Sequence, residues 1–84
     1  MRDFTTLRKL GKHRDQYFAA VVRWNDQVFF AGPAKNGGYL ARIYEMVDLE
    51  DAPSELDARL SLIAEPEERF KDSGHAIKWC FEHA

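Results

Sequence analysis

The first half of the chain has a pattern of apolar residues that predicts a β-hairpin. The stretch QYFAAVVRW (residues 16–24) is rich in aromatic and β-branched residues, and VFFAG follows it after a short polar break. Asn25 and Asp26, in that break, both tolerate positive φ and can form a two-residue turn. Antiparallel counting across such a turn predicts three facing pairs: Arg23 with Val28, Val22 with Phe29, and Val21 with Phe30.

A third strand is predicted after the hairpin. Gly32 and Pro33 end the second strand, and the residues KNGG continue the turn. Alternating side chains in YLARIYEMV (residues 39–47) then favour another extended segment. Both faces of the hairpin are largely apolar. We therefore expect a helix to cover one face, and the N-terminal helix, the acidic segment or another protein to cover the other.

Helix signals also occur near the N-terminus. Asp3 can cap a short helix that carries Phe4, Leu7 and Leu10 and ends before Gly11. Basic residues in its last turn agree with the helix dipole. A strand over residues 4–10 is the alternative.

The clearest predicted element is a C-terminal helix. Asp72 or Ser73 can cap it, and an apolar arc of about 140° should pack on the sheet through Ala76, Ile77, Cys80, Phe81 and Ala84. Because Cys80 lies within this arc, we interpret it as a buried packing residue rather than a nucleophile. Trp79 lies at one edge of the arc near two histidines, and we predict that it is half-exposed and contacts a partner.

The segment before this helix fits two structures. Ser54, preceded by Pro53, is typical of a helix start, and apolar residues follow at helical spacing at Leu56, Leu60 and Ile63. The alternation in ARLSLIA (residues 58–64) is typical of a fourth strand instead. We favour the helix, which Pro66 would end.

These elements predict one α+β domain over residues 1–84. It is a small antiparallel sheet of three strands, or four if residues 58–64 are extended. The sheet packs against a C-terminal helix and is joined by a short N-terminal helix. A chain of 84 residues has no room for a second core, and so small a core gives modest stability.

Charge is distributed unevenly along this domain. Residues 1–44 contain eight basic and three acidic side chains, a net charge of +5, whereas residues 45–84 contain four and eleven, a net charge of −7. The stretch EMVDLEDAPSELD (residues 45–57) has six carboxylates and no basic residue. Either the two halves neutralise each other across the fold or at a dimer contact, or each forms a patch with its own partner.

Composition excludes several classes of protein. The single cysteine cannot form an internal disulfide, and neither a secretory signal nor a run of 18 apolar residues is present, so we expect a cytoplasmic protein without a membrane span. His75, Cys80 and His83 are spread too widely around a helix to bind a metal. No glycine-rich phosphate-binding pattern occurs. We therefore expect no cofactor, no metal and no enzymatic activity.

The acidic segment supports a first binding hypothesis. Closely spaced carboxylates can imitate a row of phosphates and dock on a basic groove of a protein or ribonucleoprotein complex. Small one-domain inhibitors from phages and mobile elements, such as anti-CRISPR proteins, offer an analogy of size and charge. The predicted contact residues are Glu45, Asp48, Glu50, Asp51, Glu55, Asp57 and Trp79. The alternative role for these acids is only to keep the fold soluble.

The basic half supports a second hypothesis, direct binding of nucleic acid. Phosphate contacts would come from Arg8, Lys9, Lys12, Arg14, Arg23 and Arg42, and bases would stack on Tyr17, Trp24, Tyr39 or Tyr44. A sequence pI of about 5.9 is low for such a role. A third hypothesis is a homodimer that buries the second apolar face of the hairpin together with Trp79.

Overall fold

A single antiparallel sheet organises the domain. The computed structural model describes residues 5–10, 20–35, 37–48 and 50–84. Within these ranges the sheet has the order β1-β2-β3-β4, formed by β1 (Ala20–Trp24), β2 (Gln27–Pro33), β3 (Tyr39–Met46) and β4 (Leu60–Ala64). Residues 7–10 are helical (α1), and α2 (Ser73–His83) follows the sheet. The predicted α+β class is confirmed.

The predicted hairpin between β1 and β2 is confirmed, including its register. Arg23 faces Val28, Val22 faces Phe29, and Val21 faces Phe30. Asn25 has a φ of 56°, the left-handed conformation that a two-residue turn requires. The predicted cap Asp3, Gly11 and the start of the predicted first strand (residues 16–19) lie outside the described residues.

Two glycines allow the turn between β2 and β3. Gly37 and Gly38 have φ values of 96° and 71°. A Cβ atom on Gly38 would lie 3.0 Å from the Cβ atom of Arg69. Beyond this close approach, Tyr39 and Phe70 exchange two backbone hydrogen bonds of 2.8 Å. The segment that precedes α2 is thereby held against the start of β3.

The helix that we favoured between Pro53 and Pro66 is wrong. A 3-10 turn spans Glu55–Asp57, and the chain then enters β4, which pairs with β3. Leu60 is fully buried, whereas Leu56 and Ile63, which share a face in the helical pattern, are each about half exposed. The strand prevails because β3 would otherwise leave its outer backbone groups without ladder partners. Thr5 adds an isolated bridge to Leu60.

The core has two layers, one on each face of the sheet. On the first face the residues that pack together are Leu10, Val28, Phe30, Tyr44, Met46 and Leu60, with Leu7 beside them, so α1 covers this face. On the second face they are Phe29, Ala31, Ala41 and Ile43 with Ala76 and Cys80 of α2. Both apolar faces of the hairpin are thus covered within the chain, and the second face on which the dimer hypothesis rested is occupied.

Asp72 caps α2, one of the two predicted caps. Its side chain accepts a hydrogen bond of 2.8 Å from the backbone N–H of His75. Ala76 and Cys80 are buried against the sheet as predicted, whereas Phe81 remains 44% exposed. In the described part of the chain, no helix has the length and apolar character that crossing a bilayer requires.

Candidate docking site

The basic and acidic halves of the chain meet in ion pairs. Arg8 contacts Asp57 at 3.0 Å, and Arg42 contacts Glu65 at 2.7 Å. Arg23 pairs with Glu55. Each of these pairs joins a residue before position 45 to one after it. The first of our two explanations for the charge pattern, neutralisation across the fold, therefore accounts for three arginines.

Three of the six predicted contact acids are engaged in ion pairs. Besides Glu55 and Asp57, Asp48 binds Arg59 twice: it accepts the backbone N–H at 2.7 Å and the side-chain Nε–H at 2.8 Å. Both hydrogen bonds lower the pKa of Asp48. Arg8 and the hydroxyl of Ser54 likewise lower the pKa of Asp57. We call Asp48, Glu55 and Asp57 the paired acids.

The other three acids are differently placed. Glu45 lies in β3, and Glu50 and Asp51 lie in the turn that follows it. All three are exposed, and none forms an ion pair with another described residue. We call Glu45, Glu50 and Asp51 the unpaired acids. The continuous row of six carboxylates that the sequence suggested is reduced to this set.

Three of the six basic residues of the nucleic-acid hypothesis are also engaged in ion pairs. Arg8, Arg23 and Arg42 each hold a carboxylate, as described above. Lys9 is exposed, and Lys12, Arg14 and Tyr17 lie outside the described residues. Of the aromatic side chains proposed to stack on bases, Tyr44 is buried in the core. Tyr39 is partly buried, and Trp24 is exposed.

The pKa of Arg42 is raised although its side chain is partly buried. Desolvation lowers its pKa, but hydrogen bonding to Tyr44 and the charge of Glu65 outweigh it, so the pKa of Arg42 is raised overall. The backbone carbonyl of Arg42 also accepts the S–H of Cys80 at 3.7 Å. This arginine therefore links β3 to the 64–65 segment and to α2, which is a structural role.

A concave site lies at the end of the sheet where β1 and β2 meet. The strand register sets Trp24 beside Gln27, and Gln27 beside Glu45, so these side chains form one row on the α2 face. Phe81 of α2 stands over the row, with its ring centroid 5.3 Å from that of Trp24. The site has a volume of about 420 Å³ and is lined by Trp24, Asn25, Asp26, Gln27, Glu45, Phe81 and Ala84.

Two of these residues were predicted contacts, but the sequence did not bring them together. Glu45 was assigned to the acidic segment and Trp24 to base stacking, while Phe81 was expected to pack on the sheet. Trp79, the predicted aromatic contact, stacks on His83 with ring centroids 4.3 Å apart, and its ring centroid lies 6.4 Å from that of Phe70. Phe81, rather than Trp79, is thus the aromatic side chain of α2 that shares a site with a predicted contact acid.

The single cysteine lies in the core. Burial raises the pKa of the Cys80 thiol to about 11, which keeps it protonated near neutral pH. Within the described ranges, no group of three His, Cys, Asp or Glu side chains is arranged to hold a metal ion. Among the features found here, the Trp24–Phe81 cavity and the unpaired acids are the candidates for recognition.

These observations define a class of protein: a small α+β domain whose four-stranded antiparallel sheet carries a helix on each face. Residues 1–84 match the family model described as nucleotide modification associated domain 4 (Nmad4). The chain belongs to this family. Comparisons with curated proteins and with solved structures found no match.

Proposed function

We propose that this domain is a non-catalytic docking module that binds a basic surface of a protein or ribonucleoprotein assembly. The family is described as a nucleotide modification associated domain, and this description supports a setting in which such an assembly acts on nucleotides. An inhibitor encoded by a phage or mobile element is a narrower form of the same proposal. The domain would contribute binding, and its partner would contribute the chemistry.

The proposal rests on one observation: only some carboxylates of the acidic segment form ion pairs within the domain. The arginines pair with some carboxylates and leave Glu45, Glu50 and Asp51 exposed at the end of β3 and in the following turn. Exposed carboxylates hasten association with basic surfaces and select against acidic ones. Three carboxylates are too few to imitate a row of phosphates, so we propose local charge recognition rather than nucleic-acid mimicry.

Two triple variants test the proposal with matched charge. E45Q/E50Q/D51N neutralises the unpaired acids, and D48N/E55Q/D57N neutralises the paired acids. Each changes the formal net charge from −2 by three units. Native protein and both variants are used to capture partners from a lysate of the native host, and captured proteins are identified by mass spectrometry.

We expect the native protein and D48N/E55Q/D57N to capture the same basic protein or complex, and E45Q/E50Q/D51N to lose it. Added salt should weaken the native complex because charge attraction is screened. Full capture by E45Q/E50Q/D51N would refute the proposal. If labelled DNA or RNA bound the isolated domain with salt-sensitive affinity that Arg23→Ala weakened, direct nucleic-acid binding would replace it.

A further inference from the structure

The Trp24–Phe81 site combines features that point to one kind of ligand. Two large aromatic side chains are substantially exposed there: Trp24 by 51% and Phe81 by 44%. They are not isolated on the surface, because they share a cavity of about 420 Å³. Exposed aromatic side chains gathered in a concave site are typical of binding surfaces.

The aromatic rings are held in place by the core. Phe29, which is fully buried, meets Phe81 edge to face with ring centroids 4.9 Å apart. Phe81 in turn meets Trp24 at an interplanar angle of 75°. This chain of contacts fixes the exposed rings before any ligand arrives, which reduces the entropy that binding would cost.

The polar groups of the site select the charge of the ligand. Glu45 and Asp26 contribute carboxylates, which accept hydrogen bonds and carry negative charge. None of the residues that line the site is a lysine or an arginine. A phosphate would be repelled by both carboxylates. A flat cation with several N–H donors would gain from the carboxylates and from the faces of the rings.

We infer that this site binds the guanidinium group of an arginine side chain on the partner protein. The guanidinium is planar, stacks on aromatic rings and can donate two hydrogen bonds to one carboxylate. Glu45 is the natural acceptor, because it lies in the same row of the sheet as Trp24. The inference deepens the proposed function, on which it rests, by naming the central contact.

Two short peptides test this inference on the intact domain. One has a single arginine between glycine and serine residues and blocked termini, and the other has citrulline, an uncharged isostere, in its place. Binding is followed by NMR on ¹⁵N-labelled protein through the indole N–H signals of Trp24 and Trp79. Trp79 lies on a different contact surface and provides an internal control.

We expect the arginine peptide to shift the Trp24 signal saturably, with a Kd on the order of millimolar, which is ordinary for a single contact. The citrulline peptide should leave it unchanged. Glu45→Gln should weaken binding at least about fivefold, as loss of a charge-assisted contact does. The equal charge change Glu68→Gln, at an exposed position that does not line the site, should alter it less than about twofold. A lysine peptide should bind more weakly.

Other outcomes would overturn the inference. Equal shifts from the arginine and citrulline peptides would do so, as would equal effects of Glu45→Gln and Glu68→Gln. A mononucleotide that shifts Trp24 while the arginine peptide does not would identify the site as a nucleobase site. If the arginine peptide fails but E45Q/E50Q/D51N still loses the captured partner, docking stands and only this contact is wrong. If the peptide binds but capture is unaffected, the proposed function fails instead.

Discussion

Cys80 has a side chain of a reactive type, but its position in the core gives it a structural role. Its side chain is fully buried between α2 and β3, and its S–H is directed at the carbonyl of Arg42. Position within the apolar arc of α2 was enough to predict this from the sequence, because helical periodicity determines which side chains face the sheet. The thiol serves as a small apolar group.

We expect the thiol of folded Cys80 to react slowly. Burial raises its pKa from 9.0 to about 11, so the thiolate fraction at pH 8 is roughly a hundredfold lower than in the unfolded chain. Reaction with a thiol reagent should therefore be slow in buffer and fast in denaturant. Because the unfolded thiol ionises first, stability should fall as pH rises from about 9 to 11. Rapid labelling of the native protein at pH 8 would contradict this account.

A second prediction at the residue scale concerns the contribution of Asp72 to stability at acid pH. Hydrogen bonds from the side chain and backbone of His75 lower its pKa, so its ionised form stabilises the fold above the unfolded pKa. That contribution should be lost as pH falls below about 4. Asp72→Ala should lower the melting temperature at pH 7, whereas Asp72→Asn should retain the cap and flatten the acid dependence. Circular dichroism melts between pH 7 and pH 3 give both quantities.

Among the elements, β4 shows where sequence patterns compete. Leu56, Leu60 and Ile63 fit a helix, while Leu60, Leu62 and Ala64 fit a strand, and local propensity does not separate the two. The segment forms a strand because it pairs with the outer edge of β3, and this pairing places Leu60 in the core. Because β3 lies outside the segment itself, a prediction from the segment's own residues does not detect this pairing.

Two leucines of β4 test this assignment against each other. Leu60 is fully buried, whereas Leu62 is 47% exposed, so the same substitution should have different costs. We expect Leu60→Ala to lower the free energy of unfolding by about 2–5 kcal/mol and Leu62→Ala to change it by roughly 0.5 kcal/mol or less. Urea denaturation measures both values. Similar losses from the two variants would show that the strand is wrongly placed.

The register of the hairpin could be predicted from the sequence, whereas the Trp24–Phe81 site could not. A two-residue loop determines its own register, so the pairs across Asn25 and Asp26 could be counted from the sequence. The longer turn between β2 and β3 allows several registers. Gln27 therefore could not be matched to Glu45 by counting, and the site that this match creates could not be predicted.

At the scale of the whole molecule, charge that is separated along the chain is brought together in space. Arg8, Arg23 and Arg42 from the basic half each pair with a carboxylate of the acidic half. Single exposed ion pairs contribute little to stability, but these pairs also determine which acids remain available to a partner. The charge map of the sequence allowed two explanations, neutralisation across the fold or at a dimer contact, and separate patches. It could not show which side chains cancel, because that depends on the fold.

The central claim is that the paired acids serve the fold and the unpaired acids serve recognition. Urea denaturation at low ionic strength tests it most directly, by comparing D48N/E55Q/D57N with E45Q/E50Q/D51N, which change the charge equally. We predict a lower unfolding midpoint for D48N/E55Q/D57N, with the deficit shrinking in high salt, and an unchanged or higher midpoint for E45Q/E50Q/D51N. Equal midpoints for the two variants, or the reverse order, would contradict the account.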